Sequence, residues 1–358
     1  CVLVVTRSVH DQTQGRTKQT SQRRNREART MEQGAYCRAS IDSADTPESN
    51  ARLGDSYLEK GLTGMARADG WFDAHWGAAV LAGCYLCREN QLDHRTVDGI
   101  KSQLDVVLER RAAQFASLPE EPADEGLIED VPKALLPAME GGLRAHGHAV
   151  IFAALSVKSL RDVPHMAQPA LIRGLCRLSH QISRIPPREA AVPPAPYPDT
   201  QAMVDAAFDG IARFGALLGH PAVRRPNFTH MLTHTEALLT LELLGYPDVT
   251  RAGYTAQRVH IDAPVPQVDS SCETSTEHAN LETVMDRAYW DDKTNQGWWQ
   301  RGFSVEDNPN GDWVASGHLF KVLYSYHRLV SYVTDRKKVE LCSKILLERY
   351  LNPDVQGG

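Results

Sequence analysis

The chain has no long apolar run, no surplus of positive charge and almost no strand pattern. Its 358 residues carry a formal net charge of −6 at pH 7, which argues against a nucleic-acid-binding face over the main body. No run approaches the roughly 18 apolar residues that a membrane helix needs. We therefore expect a small-molecule partner, no nucleic acid and no membrane.

Cysteine chemistry and common cofactor motifs are also missing. The 7 cysteines are an odd number, scattered through a chain too large to need disulfides, which predicts reduced thiols and a cytoplasmic location. Cys84 and Cys87 form a CxxC pair inside an apolar helix with no second pair, so we expect them to pack. No dinucleotide fingerprint, Walker loop or nucleophile elbow is present, so no nicotinamide or flavin domain is expected.

Composition and periodicity predict an all-α fold. Period-2 runs of β-branched residues are nearly absent, whereas the Ala, Leu, Glu, Arg and Gln content favours helices. We predict one large helical bundle or toroid-like catalytic domain over residues 46–358, with helices at 57–67 and 96–117. Asp73 is a candidate cap for the helix between them. The proline-rich segment 186–198 is interpreted as a crossover between two halves of this domain.

The amino-terminal residues differ from the rest. The first thirty carry seven basic and two acidic side chains, and their short apolar run is below the roughly 7 residues that a secretory signal needs. We interpret residues 1–45 as a disordered basic leader, and residues 1–30 as upstream read-through before a start at Met31. A targeting or nucleic-acid-binding arm is the alternative.

A histidine recurs four times before an apolar helical stretch. His75, His148, His234 and His318 lie 73, 86 and 84 residues apart, which is an internal near-repeat. Helices that each carry one inward ligand at the same height bring their imidazoles to one point, where they can bind a metal. The repeat therefore predicts four inward His-bearing helices. A satisfied core or surface histidine is the alternative at each position taken alone.

Lys321 departs from this repeat. It lies one turn after His318, where the other three segments have Ala78, Ile151 and Ala237. A buried lysine has a lowered pKa, and its neutral amine can ligate a metal or add carbon dioxide to become an anionic carbamate. That negative charge would offset a cation held by neutral imidazoles. The alternative is a lysine that extends to solvent or pairs with an acid.

Two further histidines leave the ligand set open. His146 precedes His148 by two residues, and His230 precedes His234 by four. Either could replace its neighbour. The His230/His234 pair lacks the glutamate after the first histidine that a zinc-protease motif requires, which argues against a zinc hydrolase.

Two segments resemble a known family. HMLTHTEALLTLELLGYPD, residues 230–248, and SGHLFKVLYSY, residues 316–326, are similar to the His-containing helices of questin oxidase-like proteins. The resemblance implies a helical fold enclosing a mononuclear non-haem iron bound by four histidines and a carboxylated lysine. It also implies oxidative cleavage of anthraquinone or related aromatic polyketide rings by dioxygen.

The same resemblance implies roles for particular residues of this chain. The Fe(II) ligands would be His75, His148, His234 and His318, with Lys321 as the carbamate. The reaction would be ring cleavage or a Baeyer–Villiger-like oxidation in secondary metabolism, with the need for external NADPH left open. Polar side chains that follow on the last helix are Tyr324, Tyr326 and His327. We predict catalytic roles for Lys321 and Tyr326.

Aromatic side chains and carboxylates supply the remaining expectations. Six aromatic residues flank two of the His-bearing helices and suit either stacking of a flat substrate or ordinary core anchoring: Trp71, Phe72, Trp76, Trp298, Trp299 and Trp313. One competing class is an α/α-toroid carbohydrate lyase or hydrolase that uses Asp73, Asp312 and the tryptophans without a metal. Another is a non-catalytic helical scaffold whose histidines only cap helices.

Overall fold

A computed structural model describes most of the chain beyond its amino-terminal region. The described residues are 53–189, 195–220, 229–262, 264–268 and 314–351. The predicted leader at residues 1–45 lies outside them, as do Trp298, Trp299, Asp312 and Trp313.

Regular secondary structure in the described residues is helical. An isolated antiparallel bridge pairs Leu143 with Arg188. The α-helices are α1 (Asp55–Ala66), α2 (Ala74–Glu89), α3 (His94–Arg110), α4 (Asp130–Met139), α5 (His148–Asp162), α6 (Pro169–Ser183), α7 (Thr200–Ala212), α8 (Thr229–Leu243), α9 (Pro247–Ile261), α10 (Val314–Val330) and α11 (Arg336–Leu346). The all-α prediction is confirmed, and the toroid-like arrangement stays a prediction.

The predicted helix at 96–117 is too long at its carboxyl end. Helix α3 begins after Asp93, whose carboxylate caps it, and ends at Arg110. The next residues turn back onto α1: Gln114 Nε2 donates to the main-chain oxygen of Gly64 at 2.8 Å, and Phe115 packs against Gly64. This tertiary contact overrides the helical pattern of the local sequence.

The expectation that Asp73 caps α2 is wrong. Asp73 precedes the helix but already has helical backbone angles, φ −66° and ψ −16°, and its side chain makes no cap hydrogen bond. A capping side chain needs an extended residue at that position to reach back to the first free N–H groups. The Asp73 carboxylate instead lies 3.8 Å from the Arg111 guanidinium.

Four helices form the centre of the fold. Helix α2 packs against α5 and α10, and α8 packs against the same two, so the four make a closed ring. They are buried around most of their circumference, which is expected of helices enclosed by other helices. The remaining helices pack outside this ring: α1 on α2, α9 on α8 and α4 on α6.

Contacts between side chains show that α2 and α5 run in the same direction. His75 near the start of α2 lies beside His148 at the start of α5, with ring centroids 4.3 Å apart. Lys158 near the end of α5 pairs with Glu89, the last residue of α2. The histidines therefore share one end of the bundle, and charged residues share the other.

Helices α8 and α10 follow the same direction. Arg328, ten residues after His318 on α10, pairs with Glu89 at 3.0 Å and with Glu236 of α8 at 3.1 Å. His230 lies near the start of α8, next to His318. The amino termini of all four central helices thus lie at the end that holds the histidines. None of the helices described is long and apolar enough to cross a lipid bilayer.

Candidate metal centre

Three of the predicted histidines converge at the amino-terminal end of the central helices. His75, His148 and His318 each offer a ring nitrogen, and these nitrogens lie within 4.8 Å of one another. Opposite nitrogens on one metal ion are about 4.2 Å apart, twice a typical metal–nitrogen bond. The three rings are 1%, 3% and 4% exposed. Because the nitrogens are only slightly further apart than opposite ligands of one ion, small rotations of the side chains would bring them into bonding distance of a metal ion.

Main-chain carbonyl groups orient two of these rings. The carbonyl oxygen of Phe72 lies 2.6 Å from His75 Nδ1, and that of Ala145 lies 2.5 Å from His148 Nδ1. A carbonyl can only accept, so each Nδ1 carries the proton and each Nε2 presents a lone pair. This outer-shell bond is typical of metal-binding histidines. His148 Nε2 is buried and has no hydrogen-bond partner among the described residues.

His230 joins this group as a fourth ring. Its Nε2 lies 3.2 Å from His318 Nε2, and its ring centroid is 4.8 Å from that of His148. Neighbouring nitrogens bound to one ion at about 2.1 Å are separated by about 3.0–3.4 Å. The His230 and His318 nitrogens already have the spacing of two adjacent ligands.

His234 lies elsewhere. It is fully buried one turn further along α8, where its ring packs against Gly147 and lies 5.6 Å from the ring of His260. Helix α8 starts at Thr229, so His230 rather than His234 is near the helix terminus, as His75 and His148 are. The geometry favours His230 as the fourth ligand, an alternative that the sequence left open.

Lys321 is enclosed beside the histidines. It is 2% exposed, and its Nζ has no hydrogen-bond partner within the described part of the chain. The Nζ lies 5.7 Å from the ring centroid of Phe152, which is itself 5.5 Å from the His75 ring. The side chain therefore neither reaches solvent nor pairs with an acid there, and burial lowers its pKa well below the ordinary value.

The electrostatics suit a cation with an anionic partner. Burial is the largest cause that holds the pKa of His75 and of His148 well below the usual histidine value. Both rings are therefore neutral near pH 7 and able to bind a metal. The amino termini of the four helices add partial positive charge at the same end, which favours an anion next to any bound cation.

Two aromatic residues cover the cluster. Phe72 stacks on His75 with ring centroids 4.8 Å apart, and the partly exposed Trp71 lies 5.5 Å from the His148 ring. Trp76 instead packs beneath the Arg111 guanidinium at 4.8 Å. Of the members of the predicted aromatic set that lie among the described residues, Trp71 and Phe72 are the two next to the histidines.

Tyr326, predicted as catalytic, faces a different helix. Its hydroxyl lies 2.5 Å from Ser343 Oγ and donates to the main-chain oxygen of Val339 at 3.1 Å, both on α11. It is eight residues beyond His318, about 12 Å along the helix axis. Its surroundings give no support for a catalytic role.

The other polar candidates are also separate from the cluster. Tyr324 accepts a hydrogen bond from Lys158 at 2.6 Å in the charged half of the bundle. His327 follows His318 by nine residues on α10, and its ring lies 5.9 Å from that of Tyr326. Cys84 and Cys87 are buried thiols whose pKa burial raises to about 12, so they remain protonated packing residues.

Sequence reasoning missed His260. This residue of α9 is 3% exposed, and its ring hydrogen-bonds to the main chain of His146 and lies 6.0 Å from the His230 ring. No spacing pattern signals it, because it enters the site through the packing of α9 on α8. It stacks at 6.0 Å on His146, whose φ of +53° is unusual for a residue other than glycine.

No protein-family model, curated protein or solved structure matches this chain. The resemblance to questin oxidase-like proteins therefore rests on the two segments quoted above.

Proposed function

We propose that this chain is a mononuclear non-haem iron oxygenase acting with dioxygen on an aromatic polyketide of the anthraquinone type. The observation that carries the proposal is the convergence of four buried imidazoles, with an enclosed lysine amine, at one end of a helical bundle. Imidazole donors suit zinc, copper, iron and nickel alike. The family resemblance supplies iron as the choice among them.

The donor set fits a divalent ion. We assign His75, His148, His230 and His318 as ligands, all of them neutral. Lys321 adds the missing negative charge when its amine nitrogen bonds to the carbon of carbon dioxide and releases a proton, which yields a carbamate. An enclosed amine without a hydrogen-bond partner is suited to that addition.

The chain positions the reactants and limits the access of water. Iron, when bound, would supply a site and an electron for dioxygen. The Phe72 and Ala145 carbonyl groups hold two ligand rings in orientation, and Trp71 with Phe72 covers the cluster on its partly exposed side. Trp71 offers a flat surface on which an aromatic substrate can stack.

The stoichiometry separates two versions of the reaction. Ring cleavage that places both oxygen atoms in the product needs no added reductant. A Baeyer–Villiger-like insertion places one oxygen atom of dioxygen in the product and reduces the other to water, which needs two protons and two external electrons, for which NADPH is the candidate. We also propose that the enzyme is cytoplasmic and acts in secondary metabolism.

Oxygen uptake tests the function. Protein reconstituted with Fe(II) is incubated with a panel of hydroxylated anthraquinones, with and without NADPH, and dioxygen consumption is followed by electrode. We expect uptake by the parent and by His180→Ala, an exposed histidine, and at least about 100-fold less by His148→Ala because a ligand is lost. Iron-loaded parent that consumes no dioxygen with any member of the panel would argue against this function.

Isotope labelling tests the carbamate. Protein prepared in 13C-bicarbonate should show a bound carbamate carbon by NMR spectroscopy, and Lys321→Met should lack it. Lys344→Met, which changes an exposed lysine, should retain the signal. The same spectrum in Lys321→Met and the parent would show that Lys321 is not carboxylated.

A further inference from the structure

Two buried histidines next to the metal centre are left without a role by the ligand set. His234 is 0% exposed and His260 is 3% exposed. Both ring nitrogens of His234 and the Nε2 of His260 have no hydrogen-bond partner within the described part of the chain. Polar atoms buried in this way lower stability unless a ligand or water satisfies them.

The fold holds both rings in place. A hydrogen bond to the main chain of His146 fixes one nitrogen of His260 and leaves Nε2 available. Gly147 makes room for His234, since a Cβ at that position would lie 2.6 Å from His234 Cγ. The two rings are nearly perpendicular, at 83°, with centroids 5.6 Å apart. Such fixed orientation is typical of a binding site.

The pair is close to the reaction centre. The His260 ring lies 6.0 Å from the ring of His230, whose Nε2 is 3.2 Å from that of His318. A molecule that contacts the His230 ring therefore has His260 within the reach of its own substituents. This short distance favours a role of the His234 and His260 pair in substrate binding.

A second metal ion fits the pair less well. Among the described residues, three side chains lie close enough to bind one metal ion together: His75, His148 and His318. His234 and His260 offer two imidazoles, without a carboxylate or thiolate to balance a cation. A neutral oxygen-bearing ligand matches them better.

We propose that His234 and His260 form a subsite that hydrogen-bonds a hydroxyl or carbonyl oxygen of the aromatic substrate. This inference rests on the proposed function for the identity of the substrate class. Each neutral imidazole carries one N–H donor and one lone-pair acceptor, which match a phenol or an enol. Burial lowers the pKa of His234 to about 3, so the ring stays neutral at ordinary pH. A site of this kind selects against analogues that lack the oxygen.

A matched pair of small aromatics tests the subsite. Binding of 1-naphthol and of naphthalene to metal-loaded protein is measured by fluorescence titration, for the parent, His260→Leu, His260→Gln and the surface control His180→Leu. In His260→Leu we expect 1-naphthol to bind about tenfold more weakly, which is the loss of one buried hydrogen bond. Naphthalene affinity should not change, and the amide of His260→Gln should recover part of the 1-naphthol affinity.

Metal content measured on the same samples separates this inference from the proposed function. It should be equal in the parent and both His260 variants. The subsite would be overturned by unchanged 1-naphthol affinity in His260→Leu, or by a parent that does not prefer 1-naphthol over naphthalene. If the metal centre is filled in those samples, the proposed function is not affected by either result. Loss of the metal in His260→Leu would overturn it too, because His260 would then be a ligand.

Discussion

At the scale of single residues, Gly147 links the two groups of histidines. It precedes His148 with a φ of +80°, a conformation that favours glycine, and its Cα faces the ring of His234. The two preceding residues, Ala145 and His146, also have positive φ. This strained turn orients His148 toward His75 and His318.

Gly147→Ala should destabilise the fold more than glycine replacement at positive φ usually does. A Cβ would impose the left-handed backbone cost of about 1 kcal/mol and would also collide with His234. Gly245→Ala is the matched control, because Gly245 has a φ of +94° and nothing within 4 Å of an added Cβ. Urea unfolding of both variants measures the difference. Equal losses of stability would show that His234 does not contact this turn.

The residues of the site were predictable to different degrees. His75, His148 and His318 follow from their recurrence, and Lys321 from its one-turn spacing after His318. The preference for His230 over His234 depends on where α8 begins, after residues 221–228 that lie outside the described part. His260 depends on the docking of α9. Both are matters of tertiary packing that local pattern does not encode.

At the scale of elements, an ion network holds the other half of the central helices together. Glu236 of α8 is buried, accepts a hydrogen bond from Thr240 at 2.5 Å and pairs with Arg328 of α10. Arg328 also reaches Glu89 at the end of α2. Three of the four helices therefore meet through one guanidinium group.

Arg328→Met should lower the free energy of unfolding by roughly 3 kcal/mol, because it leaves the Glu236 carboxylate buried and unpaired. Lys133→Met should cost less than about 1 kcal/mol, since its pair with Asp130 is exposed. The double variant Glu236→Gln/Arg328→Met should recover part of the loss. Chemical denaturation measures all three. A loss from Arg328→Met no larger than that from Lys133→Met would contradict a stabilising role for this network.

Helix positions were easier to predict than helix ends. The expected helix at 57–67 agrees with α1 within two residues, because its apolar spacing is complete within the segment. The end of α3 was not predictable, since Phe115 packs on Gly64 some fifty positions earlier. The crossover role of residues 186–198 stays a prediction.

At the scale of the whole molecule, four parallel helices place their amino termini and their histidines together. Composition and periodicity predicted the all-α class. The common direction of α2, α5, α8 and α10 was not predictable, because it depends on the connections that carry the chain back between them. Because the four helices share this direction, histidines that are far apart in the sequence lie close together at one end of the bundle.

The metal-free protein should lose stability as the pH falls. Burial lowers the pKa of His75, His148, His234 and His260 in the folded chain, whereas the unfolded chain takes up protons near the ordinary value of about 6.5. The stabilisation is therefore complete above that value and is lost below it, by about 1.4 kcal/mol per pH unit for each such histidine. Urea unfolding at pH 7.5 and pH 5.5 tests this. Equal or greater stability at the lower pH would contradict burial of neutral rings.

Metal content tests whether the four histidines bind an ion. Protein purified without a histidine tag is analysed by plasma mass spectrometry as parent, His148→Ala, His230→Ala, His234→Ala and the surface control His180→Ala. We expect about one metal ion per chain, mainly iron, in the parent, His234→Ala and His180→Ala. We expect loss of the metal from His148→Ala and His230→Ala. A parent without metal, or full occupancy in His148→Ala, would contradict the four-histidine site.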